Sequence, residues 1–328
     1  MNVELIIAQD AKGETLQIPA TEEGIEWITE RRGVPGKLNF RVLKDEILNF
    51  SEGSPVRLRV DGCDVFYGFV FIKRRDRDNL ISVTAYDQLR YLKNKDTYVY
   101  ENKTATEFIQ MVAADFNLQV GELEDTKFKI KSRVEDNTTL FDMIESALDL
   151  TLMNQKEMYV LYDDFGKLSL KNISQMYVGN EEIGYLCIDA ETAENFNYVS
   201  SIENSFNKIK LSYDNEKTGK RDIYIAQDTN NINLWGVLQY YDKLQDGENG
   251  KAKADALLEL YNKKTRNLRI RNAFGDWRVR AGSLVLVRLN LGDIVANYFM
   301  MVEKCKHKLK LDEHFMDLTL RGGDIVGG

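Results

Sequence analysis

Proline, cysteine and histidine are all scarce in this sequence, with three, three and two residues in a chain of 328. So few prolines, and no Pro-, Gly- or Ser-rich stretch, exclude units strung on a flexible thread and point to interlocked units, about two for this length. The cysteines, Cys63, Cys187 and Cys305, are odd in number and far apart. That excludes a disulfide scaffold and suits reduced thiols and cytoplasmic synthesis. Met1 to Asp10 has no basic segment and only a short apolar run, so no secretory leader is expected. No apolar stretch approaches membrane-spanning length, so no membrane insertion is expected. A formal charge of −8 argues against a nucleic-acid grip over the whole surface.

Period-two alternation is abundant. In Gly53 to Asp87, Val56, Leu58 and Val60 alternate with Arg57, Arg59 and Asp61, and Asp61-Gly62 makes a turn. Val65 to Ile72 is aromatic and β-branched, Arg74 to Asn79 reads as a solvated tip, and Ile81, Val83 and Ala85 alternate again. This is the signature of a half-buried antiparallel meander. The pattern returns near the C-terminus. Gly282-Ser283 opens it as Gly53-Ser54 does, and Leu284 to Leu289 matches Pro55 to Val60. Tyr298 to Lys304 parallels Tyr67 to Lys73, a charged tip spans Lys308 to Glu313, and Phe315 to Leu320 follows. Both copies finish at an Asp, Asp87 and Asp324, and each is preceded by a strand candidate, Leu38 to Leu43 and Leu268 to Asn272. One β module used twice accounts for this self-similarity, with the extra residues of the second copy in its loops.

Further strands are expected on either side of Asp10 to Gly13 and, in preference to a helix, across Ile25, Trp27 and Thr29. Thr104 to Glu107 is a capping box for a helix with Phe108, Ile109, Val112 and Phe116 on one face. Thr139 to Asp142 caps a second helix to about Met153, with Phe141, Ile144, Leu148 and Leu152 as its stripe. A hairpin follows across Asp163 to Lys167. The stretch of about 95–195 is thus an α+β insert of two helices and a small sheet. After it come a hairpin around Asp214 to Gly219, a strand at Trp235 to Tyr241, and a helix from Ala252 to about Lys264 with Ala256, Leu257 and Leu260 inward.

A search for chemistry finds little. No G-x-S-x-G, H-E-x-x-H or phosphate-binding glycine motif occurs. Cys305, His307 and His314 are the sharpest constellation: a strand puts the first two on one face, and a turn near Lys310 brings His314 opposite His307. The set lacks a fourth ligand and a usual zinc spacing, so a packed or solvated hairpin is the competing reading. Asp163-Asp164, and Asp96 near Glu101, are carboxylate pairs without an acid–base partner. Lys73-Arg74-Arg75 is broken at once by Asp76 and Asp78 and is no phosphate track. No catalytic, cofactor or metal residue is assigned, and the chain is read as a non-enzyme.

Three segments carry a resemblance. They are Phe66 to Val70 with Ile81 to Asp87 and Leu89 to Leu92; Asp276-Trp277-Arg278-Val279-Arg280-Ala281-Gly282; and His314 to Leu320. Together the chain resembles the XkdQ-like proteins of the PBSX defective prophage, which are baseplate hub proteins of contractile tails and tailocins similar to the late control protein D group. The resemblance implies a β-rich α+β chain with two tail-tube-like antiparallel β-barrel domains, at 1–95 and 196–328, around an inserted α+β region at 96–195. It implies a homotrimer that seats a hexameric tube ring, in the baseplate of a virion or phage-tail-like particle. Partners would be the tail tube protein, a separate spike protein and baseplate wedge proteins, with the tape measure protein a further candidate. No cofactor is implied, and DNA would pass through a lumen without specific binding. Competing readings are a hub of a related secretion or injection apparatus, and a cell-wall glycan module using Trp235, Tyr240 and Tyr241 as a stacking platform.

Overall fold

The structure is a computed structural model and describes the chain apart from residues 10–15, 18–20, 45–47, 76–78, 193–194, 216–218, 245–248, 311–312 and 323–328. The proposed turn at 10–13, part of each charged tip and Asp324 therefore lie outside the described residues. The N-terminal strands are β1 (Val3–Ala8), β2 (Leu16–Gln17), β3 (Thr21–Glu30), β4 (Lys37–Leu43), β5 (Pro55–Val60), β6 (Cys63–Arg75) and β7 (Leu80–Tyr86). β3 is a strand, as its alternation requires. Asp61 and Gly62 both take positive φ, 50° and 80°, the geometry of a tight two-residue hairpin turn whose twist matches its strands.

The next stretch contains β8 (Lys95–Lys103), α1 (Ala105–Asp115), β9 (Val120–Leu123), β10 (Ile130–Thr139), α2 (Leu140–Gln155), β11 (Tyr159–Asp163) and β12 (Leu168–Asn172). The capping box is formed: Thr104 Oγ1 accepts from Glu107 N–H, and Glu107 accepts from Thr104 N–H. Thr139 Oγ1 accepts from Asp142 N–H at the start of α2. The buried stripe of α2 runs through Leu140, Met143, Ile144 and Ala147, while Leu148 and Leu152 are half-buried, so the expected stripe sits partly off the core. Lys95 to Lys103, polar in composition, forms β8, with Tyr98 and Tyr100 inward against Phe108.

The remaining elements are β13 (Gly179–Asn180), β14 (Gly184–Tyr185), β15 (Cys187–Ile188), β16 (Asn195–Ser201), β17 (Lys208–Asn215), β18 (Lys220–Gln227), α3 (Thr229–Trp235), β19 (Gln239–Lys243), α4 (Gly250–Tyr261), β20 (Thr265–Phe274), β21 (Leu284–Asn290), β22 (Val295–Lys310) and β23 (Glu313–Gly322). Trp235 closes α3 rather than opening a strand, because Asp228 caps the first turn by accepting from the N–H groups of Asn230 and Asn231. α4 begins at its Asn249 cap and turns Ala254, Leu257 and Leu258 inward; Ala256 and Leu260 are only half-buried.

The repeat is real in the pairing. In the first copy β3 pairs β4, β4 pairs β7, β7 pairs β6 and β6 pairs β5. In the second, β16 pairs β20, β20 pairs β23, β23 pairs β22 and β22 pairs β21. Phe69 faces both Pro55 and Tyr86, and Met301 faces both Leu284 and Arg321. A bulge follows at the same distance, between Val70 and Ile72 and between Val302 and Lys304. Gly53-Ser54 and Gly282-Ser283 exchange backbone hydrogen bonds with Val70 and Val302 in the same way. These pivots correct one register. Tyr67 is equivalent to Phe299, not Tyr298, because matching Tyr to Tyr slips the long strand by one residue and reverses its faces.

Among the described residues neither repeat closes into a barrel of its own. The C-terminal half of β22 pairs β3, from Lys304↔Glu30 to Leu309↔Ile25, and this merges both repeats into one 13-stranded sheet. The first repeat packs one core around Leu38, Phe40, Leu58 and Val83, and the second packs another around Leu268, Val285, Met300 and Leu318. α1, α2 and their strands enclose a third, around Phe108, Leu140 and Leu168. Residues 202–264 lie between β16 and β20, where the first repeat has only the turn 31–36; they form the sheet β18-β17-β19 under α4, with its own small core.

Candidate functional site

β22 is the hinge of the arrangement. Alternation puts Cys305, His307 and Leu309 on its buried face. His314 stands opposite Leu309, and His307 opposite Met316, so the two histidines meet diagonally rather than face to face. The expected opposition is corrected by the register, in which Lys310 pairs Glu313.

His307 Nε2 is 2.8 Å from the carbonyl of Val279, and His307 Nδ1 is 2.8 Å from His314 Nε2. The partners assign the protons: His307 Nε2–H donates to the carbonyl, and His314 Nε2–H donates to His307 Nδ1. Cys305 Sγ lies 3.1 Å from His307 Nε2. Trp27 and Trp277 stack on either side, with Trp27–His307 centroids 4.8 Å apart and Trp277–His314 centroids 3.6 Å apart. Burial and the neighbouring His314 hold His307 down to about 3, and burial holds His314 down to about 4. Burial pushes the Cys305 thiol well up. Both His307 nitrogens are engaged, and among the described residues no three His, Cys, Asp or Glu groups are placed to hold a metal ion. Gly275 makes the packing possible: a Cβ there would lie 2.1 Å from the His314 ring.

The segment Asp276 to Gly282 ties the two repeat cores together and to β11 of the insert. Trp277 packs on the first core and Val279 lies in the second. Ala281 N–H donates to Thr29 Oγ1 on β3 at 3.0 Å. The Arg280 guanidinium lies 4.2 Å from the Tyr162 ring centroid and donates to the carbonyl of Asp163 at 2.6 Å. Nearby, buried Asp87 accepts from Gly36 N–H and Leu89 N–H. Burial, then the charge of Asp163, pushes the Asp87 carboxyl well up; burial pushes Asp163 up to about 6. The Asp163 carboxyl can hold a proton near neutrality, and its Oδ2 is buried with no hydrogen-bond partner among the described residues.

Other expected candidates disperse. Asp163 is buried while Asp164 is exposed, so the pair does not act as one unit. Asp96 accepts from its neighbour Thr97 N–H and Glu101 is exposed. Tyr240 turns inward onto Phe206 and Tyr261, whereas Tyr241 faces out and bonds Ser212. With Trp235 on α3, the three aromatics make no shared platform. Asp87, Trp27 and Arg280 were not singled out as a cluster by sequence. The only local signal was the Asp276–Gly282 segment itself.

A family model described as YQBQ-like matches residues 25–321. The phage-like element PBSX protein XkdQ of Bacillus subtilis (strain 168) is 31% identical over 278 residues, 82% of each chain. Among solved structures, the prophage MuSo2 43 kDa tail protein from Shewanella oneidensis has a TM-score of 0.68 at 13% identity, covering 97% of this chain and 98% of that one. The E. coli c3393 protein, a component of the type VI secretion system with structural similarity to T4 bacteriophage tail proteins gp27 and gp5, has a TM-score of 0.59 at 9% identity, covering 100% and 79%. The structural likenesses show a shared tail-protein fold. With the family model spanning both repeats and the insert, the chain belongs to the YQBQ-like family.

Proposed function

We propose that this chain is a structural baseplate hub of a contractile phage tail or phage-tail-like particle, a homotrimer that joins a hexameric tail tube to a trimeric spike. The observation that carries the reading is the duplicated pairing order, pivot and bulge of β3–β7 and β16–β23. Two equivalent units per chain, three times over, present six positions to a sixfold tube. On this reading the units fall at 1–95 and 196–328, with 96–195 as the insert, and wedge proteins and the tape measure protein are further partners. The chain acts by position and not by catalysis. Its excess of carboxylates suits a conduit that phosphate-rich DNA can traverse without being held. The likeness to a type VI secretion component favours, as a second reading, the same role in a secretion or injection apparatus. Electron cryomicroscopy of the assembled particle tests the proposal. A ring of three chains with pseudo-sixfold symmetry between tube and spike is expected; a ring without it overturns the hub reading. Neighbouring genes for a sheath and tape measure, or for a secretion ATPase, separate the two settings.

A further inference from the structure

The junction inside the chain has an unfilled counterpart on its outside. β22 offers the edge of Lys304 to Leu309 to β3, directly after its bulge. The pivots make Ile72 to Arg75 of β6 equivalent to Lys304 to His307. Likewise Trp27 and Tyr198 are equivalent, since they face Leu38 and Leu268, which face Ala85 and Leu320 in turn. β3 therefore corresponds to β16. Yet β16 is the terminal strand of the sheet, and Ile72 to Arg75 pairs only β7 among the described residues. Both stretches are largely solvent-facing, with Ile72 and Val199 each 49% exposed. Bare strand edges of this kind template pairing with another chain.

We infer that β6 of one subunit pairs antiparallel with β16 of the next copy of this chain, in the register that β22 and β3 display within the chain. The partners are Ile72↔Ser201, Lys73↔Ser200, Arg74↔Val199 and Arg75↔Tyr198, and Ile202 N–H donates to the Phe71 carbonyl as Arg31 N–H donates to that of Glu303. The side chains differ in kind. The internal seam carries the ion pairs Lys304–Glu30, Lys306–Glu26 and Arg31–Glu303. The equivalent outer positions are Ile72 and Ser201, Arg74 and Asn197, Phe71 and Ile202. The external seam is therefore short of opposed charges and held by backbone pairing and apolar contact. The contact is head-to-tail, so it forms a ring only if its rotation closes; for three chains in the ring, the inference rests on the hub reading.

The test is disulfide trapping with the full chain, exposed Cys63 first changed to serine. Chains carrying Arg74→Cys are mixed with chains carrying Val199→Cys at high protein concentration and oxidised. The control mixes Arg74→Cys with Tyr198→Cys, which points to the other face. Opposed strand residues fall within disulfide reach, so the in-register mixture should give about tenfold or more cross-linked dimer than the control. Circular dichroism confirms that each variant is folded. Equal yields from both mixtures, or an oligomer by mass without the in-register cross-link, overturn the register while leaving the hub reading standing. No oligomer and no cross-link at any concentration overturns the claim that the two edges suffice, and the particle images then judge the hub reading separately.

Discussion

His314 Nε2 sits 2.8 Å from His307 Nδ1, and each ring is stacked on Trp277. The pair is stable only while neutral. Both folded values, about 3 and about 4, lie below the unfolded value near 6.5, so the unfolded chain takes up protons that the folded chain refuses. The stability they contribute is fully present above pH ~6.5 and is lost as pH falls towards ~3. Asp276 and Arg280 act on His307 in opposite directions, the first raising and the second lowering its value. The pair should account for a loss on the order of 4 kcal/mol, read as a falling urea midpoint below about pH 6. A His307→Leu/His314→Phe double variant should flatten that fall; an equally steep fall in the variant contradicts it.

Asp163 works in the opposite sense over the same range. Its folded value of about 6 lies above its unfolded value, so its contribution is fully present below pH ~4 and lost as pH rises through ~6. Asp163→Asn keeps an acceptor for Gly166 N–H and removes the buried charge. It should be more stable than the parent at pH 7 by roughly 2 kcal/mol and show little gain at about pH 4. Chemical unfolding at the two pH values checks the sign.

Much of this was legible in sequence because alternation records which face is wet. Val56, Leu58 and Val60, or Leu284 and Leu286, need no tertiary knowledge. β10 escaped because Val134, the one apolar residue in its middle, points outward opposite Val99 and inverts the usual signal. α3 escaped because none of its residues is buried, so it carries no apolar stripe to read. The capping box of α1 and the Thr139 cap of α2 were visible because their hydrogen bonds are local. Asp87, Asp163 and Arg280 were not, since residues so far apart in sequence leave no spacing to read. Cys305 and His307 were placed together by strand parity, but the diagonal of His314 required the β22–β23 register, which parity does not give.

Gly275 tests the packing of the histidines. Gly275→Ala puts a methyl group into the His314 ring, and the bond from Gly275 N–H to the His314 carbonyl ties the two backbones together. A cost of about 1–3 kcal/mol is expected from overpacking. In a His314→Ser background the same change should cost much less. A double-mutant cycle by urea unfolding reads the coupling, and additive effects would show that the ring is not what the methyl meets.

Glu303 is the bulge residue of β22 and the partner of Arg31, whose side chain is only 5% exposed. Glu303→Ala strands a buried guanidinium, an effect of about 2–4 kcal/mol. Asp255→Ala breaks the Lys251–Asp255 pair, whose lysine side chain is 81% exposed, and should change stability by less than ~0.5 kcal/mol. Thermal unfolding of the two variants side by side measures the contrast. Comparable losses would mean that the seam between the repeats does not depend on this pair.

Leu38 and Leu268 occupy equivalent places in the two repeat cores, and both are fully buried. Cutting either to alanine should cost about 2–5 kcal/mol, set by how far each site collapses. Where that loss appears is the more telling result. The pairing of β22 with β3 carries strand hydrogen bonds straight from one core to the other, and Asp276 to Gly282 stitches both to the insert. Neither repeat can open its seam without exposing His307 and Trp27 to water. Leu38→Ala and Leu268→Ala should therefore lower one shared unfolding transition by similar amounts. Calorimetry that instead resolves two transitions, each moved by only one variant, would show that the repeats fold as separate bodies despite the shared sheet.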